Sequence, residues 1–172
     1  MKEIFDIVDR DDKVIGQATR EECHNNNKII HRGVFIIVIN DKNEILIQKR
    51  TADKDLYPSL LDVSAAGHVK TGETYEETAR RELKEELGIK PNQLSYIGKI
   101  FFEQEKETEF DAIFLTKTDK KIDKIKFDKV EVESIIFIPI KDIKDMIKKN
   151  KNMFVPKIDM VVDKFLKVYK DA

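Results

Sequence analysis

Three glutamates carry the chemistry that stands out first. Glu82, Glu85 and Glu86 fall at i, i+3 and i+4, the spacing that puts side chains on one strip of an α-helix. Like charges so placed destabilise a helix by about 0.2–0.5 kcal/mol per pair, a small cost that a plain surface helix avoids by alternating signs. Clustered carboxylates suit a hard divalent cation. Mg²⁺ takes oxygen ligands at about 2.0–2.1 Å and combines one or two carboxylates with waters and substrate phosphates. A charged helix face is more often only solvated surface, so the surrounding segment must decide.

That segment has defined ends. Thr74 followed by Glu77 forms a capping box, so a helix starts there. Gly88 suits the position just past a helix end, and Pro91 forbids continuation. At about 100° per residue, Ala79, Leu83 and Leu87 make an apolar stripe that must pack on a sheet. The glutamates flank that stripe.

The full pattern is Gly, five residues, Glu, seven residues, then Arg-Glu-Leu-x-Glu-Glu-x-Gly-Ile. It resembles the Nudix box at every fixed position: Gly67, Glu73, Arg81, Glu82, Leu83, Glu85, Glu86, Gly88 and Ile89. The resemblance implies a Mg²⁺-dependent hydrolase, with Mn²⁺ as a substitute, that cuts a diphosphate bond by attack of water on phosphorus. It implies a metal set of Glu82, Glu85, Glu86 and Gly67. The catalytic set it implies is Glu82, Glu85, Glu73 and Arg81, with the general base not assigned among them. Arg81 would pair with a box glutamate and hold the preceding loop. Glu131 matches a position where many relatives carry a further acidic residue, and it equally suits a surface strand start.

The chain also resembles the branch of this superfamily that contains type I isopentenyl diphosphate isomerase. The residues are Ile4-Phe5-Asp6-Ile7-Val8-Asp9, His31-Arg32, Ile45-Leu46-Ile47-Gln48-Lys49-Arg50 and Gly67-His68. That resemblance implies a second metal site from His24, His31, His68, Glu107 and Glu109. The isomerase carries its catalytic cysteine just before the Gly-His pair, where this chain has Ala66. Alanine cannot transfer a proton, and the box glutamates that the isomerase lacks are present. Hydrolysis is therefore the first reading. An isomerase-like enzyme and a non-catalytic diphosphate-binding module are the alternatives.

The elements that must position these residues are mostly strands. Glu3–Val8 and Val14–Ala18 read as a hairpin around the turn Asp9-Arg10-Asp11-Asp12, and Thr19 with Glu22 caps a short helix. Gly33–Ile39 reads as a buried strand. Residues 44–50 alternate imperfectly, with Leu46 facing away from Ile45 and Ile47. Tyr96–Glu103, Phe110–Thr116 and Val132–Ile138 read as strands, and 141–149 and 156–169 as helices. Lys117–Lys126 reads as an exposed loop. Phe101, Phe102 and Phe110 read as core rather than base-stacking platforms. The expected fold is α/β (α+β), a Nudix-like α/β/α sandwich with a mixed sheet and an N-terminal β-hairpin. One domain covers 1–172, with 1–30 as a hairpin-and-helix extension.

Composition bounds the partners. Lys and Arg number 32 against 33 Asp and Glu, which lacks the basic excess of a nucleic-acid-polymer binder. The single cysteine, Cys23, excludes a disulfide within the chain. The first residues, Met1 to Asp6, lack the apolar run of a signal peptide, and the longest apolar stretch is far short of the roughly 20 residues of a membrane span. These features predict a cytoplasmic protein with no membrane partner, and the Nudix resemblance implies a small-molecule diphosphate substrate. A homodimer is open through the edge strand of the hairpin. No segment encodes the identity of the substrate-binding residues.

Overall fold

The computed structural model describes residues 3–105 and 107–170; Met1, Lys2, Lys106, Asp171 and Ala172 lie outside the described residues. The chain begins with β1 (Ile4–Val8), β2 (Val14–Thr19) and α1 (Arg20–His24). Thr19 caps α1 through the reciprocal bonds to Glu22 that its sequence predicts. Next come β3 (Ile30–Ile39), β4 (Glu44–Arg50), β5 (Leu61–Asp62), β6 (Ala65–His68) and α2 (Tyr75–Leu87). The remainder is β7 (Ser95–Glu103), β8 (Thr108–Lys117), β9 (Val132–Pro139), α3 (Ile143–Lys149) and α4 (Ile158–Lys170). No helix among the described residues is long and apolar enough to cross a membrane.

All nine strands join one mixed sheet. β3 runs parallel to β8 along its whole length, from Ile30↔Thr108 to Ile39↔Lys117. Its other edge is shared. It meets β1 at Val8↔Ile30, β6 from Gly33 to Ile36, and β4 only at Ile39↔Ile45. β3 and β4 therefore part like a V. The segment 61–68 enters the gap, with β5 paired to β4 and β6 to β3. Ser64, fully buried, closes the apex by accepting from Val38 N and donating to Leu46 O. This wedge delivers Asp62, Ala66, Gly67 and His68 into the cleft.

The alternation of β3 explains the layers. Val34, Ile36 and Val38 pack with Leu46 against Ala79, Leu83 and Leu87 of α2. Phe35, Ile37 and Ile39 pack with Ile45 and Ile47 against Ile143, Ile147, Val161 and Phe165 of α3 and α4. Both faces of the sheet are covered, which is why 44–50 cannot show a clean apolar–polar period. The architecture is the expected α/β/α sandwich. The Lys-rich stretch is not wholly a solvated loop: Ile125 and Thr118 are buried, and Ile125 packs with the α2 cluster. Of the three phenylalanines read as core, Phe102 is buried, whereas Phe101 and Phe110 are half-buried and meet each other at 4.8 Å between rings.

Besides the bonds of Thr71 N to Ile4 O and Gly72 N to Asp6 Oδ2, two contacts anchor the N-terminal hairpin. Asp12, in a left-handed conformation with φ 63°, accepts from Arg32 Nε at 2.6 Å, from Tyr75 Oη at 3.0 Å and from the Lys99 ammonium. At the other end Phe5 is fully buried and stacks on the rings of His31 and His68. The hairpin thus reaches the cleft itself.

Candidate functional site

The box helix begins and ends as its sequence dictates. Thr74 and Glu77 form both bonds of the capping box, and Gly88 closes the helix with φ 59°, its N–H donating to Leu83 O and Lys84 O. A Cβ at position 88 would meet Lys126 O at 2.8 Å, so glycine is needed there for space as well as for conformation. With both ends fixed, the register of α2 turns Leu83 into the core and Glu82, Glu85 and Glu86 toward the wedge.

Arg81 organises the loop and the helix together. Its guanidinium donates from Nε and Nη2 to both oxygens of Glu73 at 2.8 Å, and from Nη2 to His68 O at 3.1 Å. Nη1 reaches Glu82 Oε1 at 2.6 Å and Glu85 Oε2 at 3.2 Å. The fork, with help from Thr78 Oγ1, holds the Glu73 carboxyl down at about 2. Gly67 faces this group. A Cβ there would lie 2.1 Å from Glu82 Oε1, so the carboxylate occupies the space a side chain would fill.

Glu86 differs from its neighbours. It is 4% exposed, accepts from Gln48 Nε2 at 2.9 Å and from Ala66 N at 3.3 Å, and has no guanidinium beside it. Burial first, then the charge of Glu82, push its carboxyl up to about 8. Burial also raises Glu82, against the pull of Arg81. Glu85 is more than half exposed on its side chain. The three carboxylates share one pocket of about 570 Å³ but do not collapse onto a single point. Glu86, buried and without an ion-pair partner among the described residues, and Glu82, half-buried and paired only with Arg81, stand beside a side-chain-free glycine and leave a demand for positive charge. A hard divalent cation fits that donor set.

These shifts predict how the metal-free protein responds to pH. Folded Glu86 keeps its proton up to about pH 8, whereas the unfolded chain releases it near 4.5. The folded state then binds more protons in between, so stability falls as pH rises through that window. Asp111, raised well above its ordinary value by burial, acts in the same sense. The buried histidines act oppositely, but only below about 6.5. In EDTA, the melting temperature is therefore expected to fall between pH 6.5 and 8, with a shallower slope in Glu86→Gln. A wild-type curve that is flat or rising over this range contradicts the assignment.

Three histidines converge beside the pocket, with His68 in its lining. Ligand atoms of His24, His31 and His68 lie within 4.8 Å of one another, the one such group of His, Cys, Asp and Glu among the described residues. His24 Nε2 and His68 Nε2 are 3.2 Å apart. Glu109 Oε1 lies 2.8 Å from His31 Nε2 and 3.0 Å from His68 Nε2. Among the described residues neither nitrogen of His31 makes a hydrogen bond, although the Glu109 carboxylate lies beside it. Burial lowers His24 to about 3 and His31 to about 4, and lowers His68 as well, so the rings are neutral at pH 7. Glu107, two residues before Glu109 and on the same side, accepts from Tyr57 Oη at 2.9 Å and lies 3.6 Å from Lys157 Nζ, and its charge bears on His31.

Several pocket residues escaped the sequence reading. Arg20 of α1 forks onto Asp55 at 3.1 Å and meets His68 Nδ1 at 3.3 Å. Lys54 pairs with Glu131 at the pocket wall, which gives Glu131 a cation partner rather than a free surface. Lys157, just before α4, is 7% exposed on its side chain and touches Glu109. A readable signal existed for part of this: Glu107, just ahead of β8, alternates with Glu109 and Asp111 on it, which puts three carboxylates on one side of the chain.

Comparison with known proteins gives this geometry a context. Residues 29–158 match the NUDIX domain. A Nudix hydrolase of Yersinia pestis is 42% identical over 103 residues, covering 60% of this chain and 56% of its own length. One from Pseudomonas aeruginosa is 37% identical over 117 residues, covering 68% and 69%. The chain thus spans little more than half the length of the Yersinia relative. The crystal structure of DR0079 from Deinococcus radiodurans superposes with a TM-score of 0.78 at 26% identity, covering 94% of this chain and 98% of that one.

Proposed function

This chain belongs to the Nudix family, and on that premise we propose that it is a Mg²⁺-dependent hydrolase that cleaves the diphosphate bond of a small organic diphosphate. The observation that carries the reading is the buried carboxyl of Glu86, without an ion-pair partner among the described residues, lining one pocket with Glu82 and Gly67. Glu82 and Glu86 would hold the metal, with Glu85 and the Gly67 backbone beside them. When bound, Mg²⁺ neutralises phosphate charge and activates water for attack on phosphorus. Arg81 and Glu73 fix the loop so that Gly67 and Glu82 keep their facing positions. One of the box glutamates takes the proton of the attacking water. Arg20, Arg50, Lys54 and Lys70 line the same pocket and bring positive charge to the diphosphate.

A panel of organic diphosphates, including isopentenyl diphosphate, tests this. Each is incubated with millimolar Mg²⁺ or Mn²⁺ in ¹⁸O-water and followed by phosphorus NMR. The expected result is cleavage with one ¹⁸O entering a phosphate product, lost on adding EDTA. No cleavage of any substrate with either metal overturns the reading. Double-bond migration in isopentenyl diphosphate without cleavage restores the isomerase alternative, which otherwise lacks a proton donor at Ala66.

The histidine group favours a second metal. Neutral imidazoles with converging Nε2 atoms and an adjacent carboxylate form a borderline-soft set suited to Zn²⁺ or a similar transition ion. His24, His31, His68 and Glu109 would be its ligands. Co²⁺ titration of chelator-treated protein is expected to give visible absorption bands that His31→Ala removes. Wild-type protein that stays colourless at a tenfold excess of Co²⁺ argues against the site.

A further inference from the structure

The pocket contains one more charged region, which meets the histidine group at Glu109 and is otherwise built on residues that neither the box nor the histidines use. Lys157 Nζ lies 3.4 Å from Asp111 Oδ2 and 3.6 Å from Glu107 Oε1, touches Glu109, and stands 4.7 Å above the Phe102 ring. Asp62 adjoins them through Arg50, whose Nη1 is 3.4 Å from Asp62 Oδ2. Four buried carboxylates therefore face two cations and the hydroxyl of Tyr57. The acceptors outnumber the donors. Asp111 is 2% exposed, and among the described residues its Oδ2 makes no hydrogen bond and has only the Lys157 ammonium 3.4 Å away, although the residue lines the pocket. Native proteins pair buried polar atoms in the large majority of cases, so such an atom needs an explanation. A metal held by the histidines would use Glu109, which already touches two of them, and would leave Asp111 as it is. The missing donor at Asp111 belongs to something else that enters the pocket.

We propose that Asp111 and Lys157, with Glu107, are specificity-determining residues that form a hydrogen-bonding floor for the organic group of the substrate. That group brings hydroxyl or amino donors, and a hydrocarbon group is excluded. The inference rests on the diphosphate reading: with the phosphates held at the box glutamates, the organic group must occupy what remains of the pocket. The physical reason for exclusion is the unmet acceptor. A hydrocarbon laid over Asp111 and Glu107 would supply no donor and would close the floor to any other. Sites built to hydrogen-bond a substrate reject an analogue lacking that group by factors of about 10⁴ or more.

The test compares isopentenyl diphosphate with 2,3-dihydroxypropyl diphosphate, both in hydrolysable form and as methylene-bridged analogues that cannot be cleaved. Binding of the bridged pair is measured by calorimetry with Mg²⁺. We expect the hydroxylated analogue to bind at least about a hundredfold more tightly. Asp111→Asn, of the same shape, should shrink that ratio at least tenfold. In the cleavable pair the loss should appear mainly in KM for the hydroxylated substrate, with kcat little changed. Lys157→Arg, which keeps the cation, should retain most of the preference. Equal binding of the two bridged analogues by the wild type, or an unchanged ratio in a folded Asp111→Asn, overturns the proposal. A preference in binding without cleavage of either substrate leaves the floor assigned and removes the hydrolase reading instead.

Discussion

Glu86→Gln is expected to lower kcat/KM for diphosphate cleavage at least about a hundredfold while the protein stays folded. Groups that only orient a metal ligand cost about 10–100-fold when changed, and Glu86 is placed to be a ligand itself. The substitution is nearly isosteric. Gln48 Nε2 and Ala66 N both point at Glu86 Oε2, and an amide oxygen can accept from both. What disappears is the charge. At neutral pH the metal-free chain carries a carboxyl that burial has pushed up to about 8, so a neutral amide there should leave the metal-free protein as stable as the wild type or more so. The two readouts then diverge: activity collapses while the melting temperature in EDTA holds or rises. An active Glu86→Gln variant would remove Glu86 from the metal set. A variant that melts well below wild type in EDTA would mean that Glu86 is a structural residue.

Arg81→Ala is expected to reduce kcat/KM by about 10–100-fold and to destabilise the fold, since five hydrogen bonds to three carboxylates and one carbonyl vanish together. Glu73 would lose the partner that holds its carboxyl near 2, and Glu82 would lose the cation that opposes its burial. Arg81→Lys is the sharper experiment. It keeps the charge but cannot fork onto both oxygens of Glu73 while reaching Glu82 and His68 O, because an ammonium is a point charge and a guanidinium a planar fork. The lysine variant is expected to regain part of the melting temperature and little of the rate. Full recovery of the rate by lysine would show that only the charge at position 81 matters.

The parts of this molecule that could be read from sequence are those fixed locally. The box helix announced itself through Thr74, Glu77 and Gly88, and its core face through Ala79, Leu83 and Leu87, because caps and a 3.6-residue period are short-range properties. β3 was legible from its β-branched run. β5 and β6 were not. Ala65-Ala66-Gly67-His68 has little strand preference of its own and is extended because β3 offers an unpaired edge beside the wedge. Lys157 was hidden for a related reason. A lysine at the start of an amphipathic helix reads as surface, and only the packing of α4 against β8 buries it among carboxylates. Asp12 looked like turn chemistry and proved to be an anchor for Arg32, Tyr75 and Lys99, contacts from distant parts of the chain. His24, His31 and His68 were grouped by resemblance, whereas their spatial meeting depends on how the hairpin docks.

That docking has a consequence for inheritance. Residues 4–24 lie outside the segment matched to the NUDIX domain, meet β3 through one ladder pair, Val8↔Ile30, and yet carry Arg20 to the pocket wall. The segment is bonded to the box itself: Thr71 N donates to Ile4 O, Gly72 N to Asp6 Oδ2 and Tyr75 Oη to Asp12 Oδ2. A change in the hairpin is therefore passed directly to the loop that carries Glu73. The two stretches are bound to vary together, and a hairpin grafted from a relative needs matching changes in residues 67–75.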